Sequence, residues 1–171
     1  MDRHRLAACG QPMQLAFVPK DVGKALEYWT GTMGAGPFFH LPNISLENTL
    51  YKGAPTAPVF SLWLGYWGDM QIELIAQHND APSIYRDAAD DRRLHHVCVL
   101  VEDFEQALQA SGGMERLQQA DVPGGGAVLY AQPAFGPIVE LLKPAPGTAD
   151  LFATMRSAHH GWDGRKPVRP L

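Results

Sequence analysis

Cysteine is scarce in this sequence, with only Cys9 and Cys98 among 171 residues. Two isolated thiols build neither a disulfide framework nor a thiolate zinc cage, so any metal is left to nitrogen and oxygen donors. Cys98 lies in the apolar run Val97 to Val101 and reads as a small buried hydrophobe rather than a nucleophile. Basic runs are missing as well: the net charge is -4, and the loose group Arg165, Lys166 and Arg169 sits among prolines near the end, which excludes an electrostatic footprint for nucleic acid. No window reaches the roughly 20 apolar residues that span a bilayer, and Met1 to Gly10 lacks the apolar stretch of a signal peptide. The expectation is therefore a cytoplasmic protein with no membrane and no nucleic-acid partner. What is present is a hydrophobic fraction of 46%, enough for one good core.

Periodicity gives the elements. Gln14-Leu-Ala-Phe-Val-Pro19 reads as a strand, after which Asp21 can cap a helix with Val22, Ala25, Leu26 and Trp29 at helical spacing, ending at Gly31 or Gly34. Strands follow at Phe38 to Leu41, Val59 to Leu64 and Met70 to Ile75, with a polar loop from Asn43 to Pro58 between the first two. A short helical stretch around Ser83 to Ala89 leads to a new strand, His95 to Val101, where the order begins again. The second copy runs through Met114 to Ala120, the turn Pro123 to Gly126, the strand Ala127 to Ala131 and a last strand ending at Lys143. The remainder starts as an amphipathic helix (Leu151, Phe152, Met155) and is expected to pack on the outside as an appendage.

An offset of 82 positions takes Gln14 to His96, Asp21 to Asp103, Val22 to Phe104, Ala25 to Ala107 and Leu26 to Leu108. The last strands also correspond, with Gln71-Ile-Glu-Leu-Ile75 falling on Ile138-Val-Glu-Leu-Leu142 and Glu73 on Glu140. Internal duplication is the sharpest signal in the chain. The expected fold class is α+β: one structural domain of two βαβββ modules, 11–78 and 94–145, with a C-terminal helix and tail over 146–171.

Four polar residues thus occupy equivalent places: Gln14 and His96 on first strands, Glu73 and Glu140 on last strands. Alternation turns Glu73 opposite to Ile72 and Leu74, and Glu140 opposite to Val139 and Leu141, so each carboxylate can enter a concavity. Singly, a strand glutamate is most often solvated and a lone histidine most often structural. Their equivalence under the repeat favours a shared site, because a buried carboxylate without a partner is destabilising by several kcal/mol, roughly, and binds something or neutralises. Three oxygen donors and one nitrogen donor suit a divalent cation such as Zn, Mn, Co, Ni or Mg.

Laid out this way, the chain resembles the vicinal oxygen chelate (glyoxalase/bleomycin resistance/dioxygenase) superfamily, and within it the glyoxalase-like group near methylmalonyl-CoA epimerase. The motifs that carry the resemblance are Gln14 to Asp21 with its helix, Gln71 to Ile75, His95 to Asp103, and Pro137 to Pro144. The resemblance implies a curved-sheet half-barrel with the metal ligands at Gln14, Glu73, His96 and Glu140. Ring-cleaving dioxygenases of the family hold iron with two histidines and a glutamate. His95, adjacent to His96, should face the other way, which disfavours that chemistry.

The implied activity is that of a metal-dependent isomerase, epimerase or lyase: a base removes a proton next to a carbonyl and the cation stabilises the resulting enolate. Glu140 is the first choice for the base and Glu73 its mirror; Glu47 in the long loop is a further candidate acid or base, although a loop carboxylate is more often simply solvated. The rival reading is a non-catalytic binding or sequestering protein of the same fold. The partner is a carbonyl-containing small molecule. A coenzyme A thioester or glutathione adduct would call for basic residues such as Lys20, Lys24, Lys52, Arg92 or Arg93 at the pocket mouth. An apolar substrate would meet Phe38, Phe39, Tyr51, Trp63, Trp67 or Tyr130. A homodimer is compatible with the family's pairing of modules.

Overall fold

The structure, a computed structural model, describes residues 6–86 and 88–171. The first five residues, part of the segment read for a signal peptide, and Asp87, within the stretch expected to be helical, lie outside the described residues. Strand β1 (Gly10–Phe17) leads to helix α1 (Val22–Glu27), whose cap is Asp21: its carboxylate accepts from the Lys24 amide at 3.0 Å. The helix widens into a π-turn over Tyr28–Thr32. Strands β2 (Phe38–Ile44), β3 (Glu47–Tyr51), β4 (Ala54–Pro55), β5 (Phe60–Trp67) and β6 (Met70–Gln77) follow. The order repeats with β7 (His96–Val101), α2 (Phe104–Ala110), β8 (Glu115–Val122), β9 (Gly126–Gln132) and β10 (Ile138–Lys143). Asp103 caps α2 as Asp21 caps α1, accepting from the Gln106 amide at 3.0 Å. Helix α3 (Thr148–His159) and strand β11 (Val168–Pro170) complete the chain.

All strands form one sheet in the order β11-β2-β5-β6-β1-β7-β10-β9-β8-β3-β4. Its centre is the antiparallel pair β1 and β7, each flanked by its own module's last strand in parallel, β6 beside β1 and β10 beside β7. The four strands β2-β5-β6-β1 therefore mirror β8-β9-β10-β7, as two βαβββ modules require.

The polar loop expected over Asn43 to Pro58 contains two short strands instead. β3 pairs with β8 of the other module, at the far end of the sheet from β2. Only Ser45 and Leu46 separate β2 from β3, so the two ends of the sheet approach within about 11 Å, three Cα steps. A sheet with that many strands between such ends must curl strongly, and a hollow is the result. Its convex side is covered by the helices: Ala25 and Leu26 pack with Trp29, Ile72 and Leu74, and Ala107 and Leu108 pack with Val99, Val101 and Leu141.

The helix expected around Ser83 to Ala89 is not formed among the described residues. Ser83 Oγ accepts from the amides of Tyr85 (2.9 Å) and Arg86 (3.3 Å), and Gln118 of β8 accepts from the Ile84 amide at 3.1 Å. Side chains satisfy this backbone in place of helical bonds, and the segment becomes a strap linking the modules.

The C-terminal segment is not an outer appendage. Met155 of α3 is buried against Leu64 and Tyr66, and Leu151 and Phe152 help wall the hollow. His159 then fastens the tail: Nδ1 donates to the Gly36 carbonyl at 2.7 Å and Nε2 accepts from the Gly68 amide at 3.1 Å. β11 adds in parallel to the edge of β2. Among the described residues no helix is long and apolar enough to cross a membrane.

Candidate metal centre

The four polar candidates stand on the four central strands, β6, β1, β7 and β10. Register sets Glu73 and His96 on either side of Ala16, and Gln71, Gln14, Cys98 and Glu140 abreast one step along. Residues opposite each other in the ladder, and those two apart on one strand, share a face, so all four candidates point to the concave side. Ala16 and Cys98 between them are small and fully buried, which lets the longer side chains lean together over the floor.

They converge. One ligand atom each from Glu73, His96 and Glu140 lies within 4.8 Å of the others. His96 Nε2 is 3.3 Å from Glu73 Oε2 and 2.9 Å from Glu140 Oε2. Yet among the described residues His96 Nε2 and Glu140 Oε2, both buried, have no aligned hydrogen-bond partner. A proton bridge is directional and a cation is not. Donor atoms that crowd a point without alignment fit a single cation at that point, and two carboxylates with an imidazole are the donors of a hard or borderline divalent ion.

Gln14 lines the same hollow. Its amide nitrogen donates to Gln71 Oε1 at 2.6 Å, and Gln71 in turn donates to the Tyr66 hydroxyl at 3.2 Å. That chain occupies the nitrogen end and leaves the oxygen, the atom a cation takes, without a protein hydrogen bond among the described residues.

His95 does not face away from His96. It precedes β7, where alternation does not yet bind it, and its Nδ1 lies 2.8 Å from His96 Nδ1 while its Nε2 lies 3.0 Å from the Ile84 carbonyl. Burial, then the charge on His96, lowers His95 to about 4, so it is neutral near pH 7. With its Nε2 proton given to Ile84, its Nδ1 can only accept, and His96 must donate from Nδ1. The Nε2 of His96 is thereby the nitrogen that meets the carboxylates, a tautomer fixed in the manner of metal-bound histidines. Burial opposes charge on His96, but Glu140 and Glu73 outweigh it and raise the imidazole to about 9. Burial likewise holds Glu73 above the ordinary carboxylate range. The site thus draws positive charge strongly. Burial and the neighbouring carboxylates push the Cys98 thiol well up, so it stays protonated.

Above the floor is a cavity of about 330 Å³. Of the six aromatic residues proposed for it, Tyr130 alone lines it. Phe38 is fully buried under Gly65, Trp63 stacks on His40, and Trp67 is 44% exposed. Lys20, Lys24, Lys52, Arg92 and Arg93 do not line it, and neither does Glu47, which is exposed on β3. Tyr85 was not singled out by the sequence. It comes from the strap and meets Tyr130 hydroxyl to hydroxyl at 2.6 Å.

Residues 13–130 match the glyoxalase/bleomycin resistance protein/dioxygenase superfamily. No curated protein matches the sequence. Among solved structures, methylmalonyl-CoA epimerase from Mycobacterium tuberculosis is similar at 17% identity over 82% of this chain and 91% of that one, with a TM-score of 0.52. A hypothetical protein from Bacillus halodurans is similar at 15% identity over 79% and 94%, TM-score 0.51. A Streptomyces coelicolor methylmalonyl-CoA epimerase variant, in complex with 2-nitronate-propionyl-CoA, is similar at 14% identity over 80% and 99%, TM-score 0.50. At these identities the likeness is one of fold. The family match spans more than half of the chain, and with the paired modules and central hollow it leads to one conclusion: this chain belongs to the glyoxalase/bleomycin resistance protein/dioxygenase superfamily.

Proposed function

We propose that the chain is a metal-dependent isomerase, epimerase or lyase that removes a proton next to a carbonyl, with Gln14, Glu73, His96 and Glu140 holding the cation. The observation that carries this reading is the buried convergence of Glu73, His96 and Glu140 on one point, with His96 Nε2 and Glu140 Oε2 lacking aligned partners. A divalent cation (Zn, Mn, Co, Ni or Mg), when bound, supplies a Lewis acid that offsets charge on the substrate oxygens. The protein does the rest. His95 keeps the His96 lone pair turned toward the carboxylates, and Gln71 keeps the Gln14 oxygen free. Glu140 accepts the substrate proton. Glu73, whose proton affinity burial has raised, is placed across His96 to return it. Return to the opposite face of the same carbon is epimerisation, and return to the next carbon is isomerisation. The apolar walls keep water from quenching the carbanion. The modules, 11–78 and 94–145, together complete one site within one chain.

The rival reading, a binding or sequestering protein, draws on the same dry walls. Among the described residues dioxygenase chemistry lacks its second histidine, because His95 is spent on His96 and Ile84. Solvent deuterium exchange into α-hydroxyketones and acyl thioesters separates the readings. Metal-loaded protein should catalyse exchange and Glu140→Gln should not; metal binding with no exchange in any substrate would favour the binding protein.

A further inference from the structure

We infer that the molecule taken by this cavity is compact, uncharged and mostly hydrocarbon, with two adjacent oxygens, and is neither a coenzyme A thioester nor a carboxylate. The inference rests on the metal-dependent reading above and names its substrate class. Among the described residues no lysine or arginine lines the cavity. The two carboxylates of the floor already match the charge of a divalent cation, so no positive charge is left over for an anionic ligand, and the walls above are hydrocarbon, among them Phe60, Leu62, Leu142, Leu151 and Phe152. A further anion brought into that enclosure would lose its hydration with no basic side chain to replace it. The phosphates of coenzyme A would meet no arginine or lysine in this lining either. The volume, about 330 Å³, stands near the small end of the range of about 300–1,000 Å³ for ligand pockets.

Besides Gln14, Glu73 and Glu140, the polar side chains of the lining are Tyr85, Tyr130 and Thr148. A tyrosine hydroxyl carries its proton at neutral pH. The pair has two hydroxyl protons and spends one on the mutual bond at 2.6 Å. The other is free to donate to an oxygen of the bound molecule, which is what a neutral hydroxyketone offers. Its reaction needs no co-reactant. The carbinol C–H proton passes to a carboxylate, and the C–H electron pair becomes the C=C bond of an enediolate. The hydroxyl proton then shifts to the neighbouring oxygen, and the carboxyl proton returns to the adjacent carbon.

Calorimetry with three probes tests this: neutral 1-hydroxy-1-phenylpropan-2-one, the carboxylate phenylpyruvate, and methylmalonyl-CoA, each on metal-loaded and on chelator-treated protein. The neutral probe should bind at least about tenfold more tightly than either anion, the equivalent of one unpaired polar group. Anion binding as tight as or tighter than the neutral probe on metal-loaded protein overturns the substrate class. Failure to take up metal overturns the reading of the centre, and the preference is then decided on the metal-free protein. Tyr130→Phe should weaken the hydroxyketone by about tenfold while leaving propylbenzene, its oxygen-free analogue, unchanged. Equal weakening of both would reduce Tyr130 to wall packing and overturn its hydrogen bond to the substrate.

Discussion

Raising the pH should destabilise the metal-free protein through one buried imidazole. His96 is raised in the fold to about 9 from its ordinary 6.5, the two carboxylates outweighing burial. A group whose affinity for protons is higher when folded stabilises the fold fully below its unfolded value and loses that contribution as pH rises through its folded value. The window is therefore about pH 6.5 to 9. At about 1.4 kcal/mol per pH unit, the loss across it is on the order of 3 kcal/mol. His95 has the opposite sign: held near 4 by burial, it withdraws stability as pH falls from 6.5 toward 4. Glu73, raised by burial, runs against His95 on the acid side, since it withdraws stability as pH rises above the ordinary carboxylate range, so the alkaline decline is the limb that tests the centre. Urea unfolding in the presence of chelator at pH 6.5 and 9.5 reads that decline, and His96→Gln should remove the imidazole's share of it, leaving only the smaller loss from the buried Cys98 thiol. With saturating zinc the imidazole's share should likewise vanish, because the cation takes the lone pair that the proton held. A metal-free protein equally stable at pH 6.5 and 9.5 would refute the convergence of charges on His96.

Three further outcomes follow from the geometry. His95→Ala, which frees the Nδ1 of His96, should lower metal affinity by about 10- to 100-fold with the circular dichroism unchanged; titration with zinc checks it, and an unaltered affinity would contradict the tautomer relay. Met155→Ala should cost about 2–5 kcal/mol of stability in urea, since Met155, on the inner side of α3, is 1% exposed; a loss near zero would return the helix to the role of an appendage. Gly36→Ala places a Cβ 3.0 Å from the Trp162 ring at φ +125° and should destabilise by about 1–3 kcal/mol; an unchanged melting temperature would show that the tail does not dock there.

The duplicated half was legible because its signals are local: two aspartate caps at the same offset, and period-two strands whose lone glutamate breaks an apolar run. Those signals also placed Gln14, Glu73, His96 and Glu140 on one concave face, since register between equivalent strands follows the repeat. What escaped depends on contacts that no periodicity encodes. β3 is polar and exposed along one side, and its partner β8 lies some seventy residues away, roughly, so it read as loop. Ser83 to Arg86 carried a helical pattern, but Ser83 and Gln118 captured its amides. Tyr85 followed that strap into the site with no motif to mark it. His95 was assigned the wrong face because alternation was extended one residue before the strand begins. Leu151, Phe152 and Met155 announced an amphipathic helix without saying what it covers, and a hollow left by the curled sheet was the answer.

Metal content measured after purification, with zinc affinity compared between the unaltered chain and Glu140→Gln, bears most directly on the centre. One cation per chain is expected, bound about a hundredfold or more weakly in the variant, because an amide replaces a charged ligand with nearly the same shape. Equal affinity in the two proteins, or no cation in either, would contradict a metal held by Glu73, His96 and Glu140.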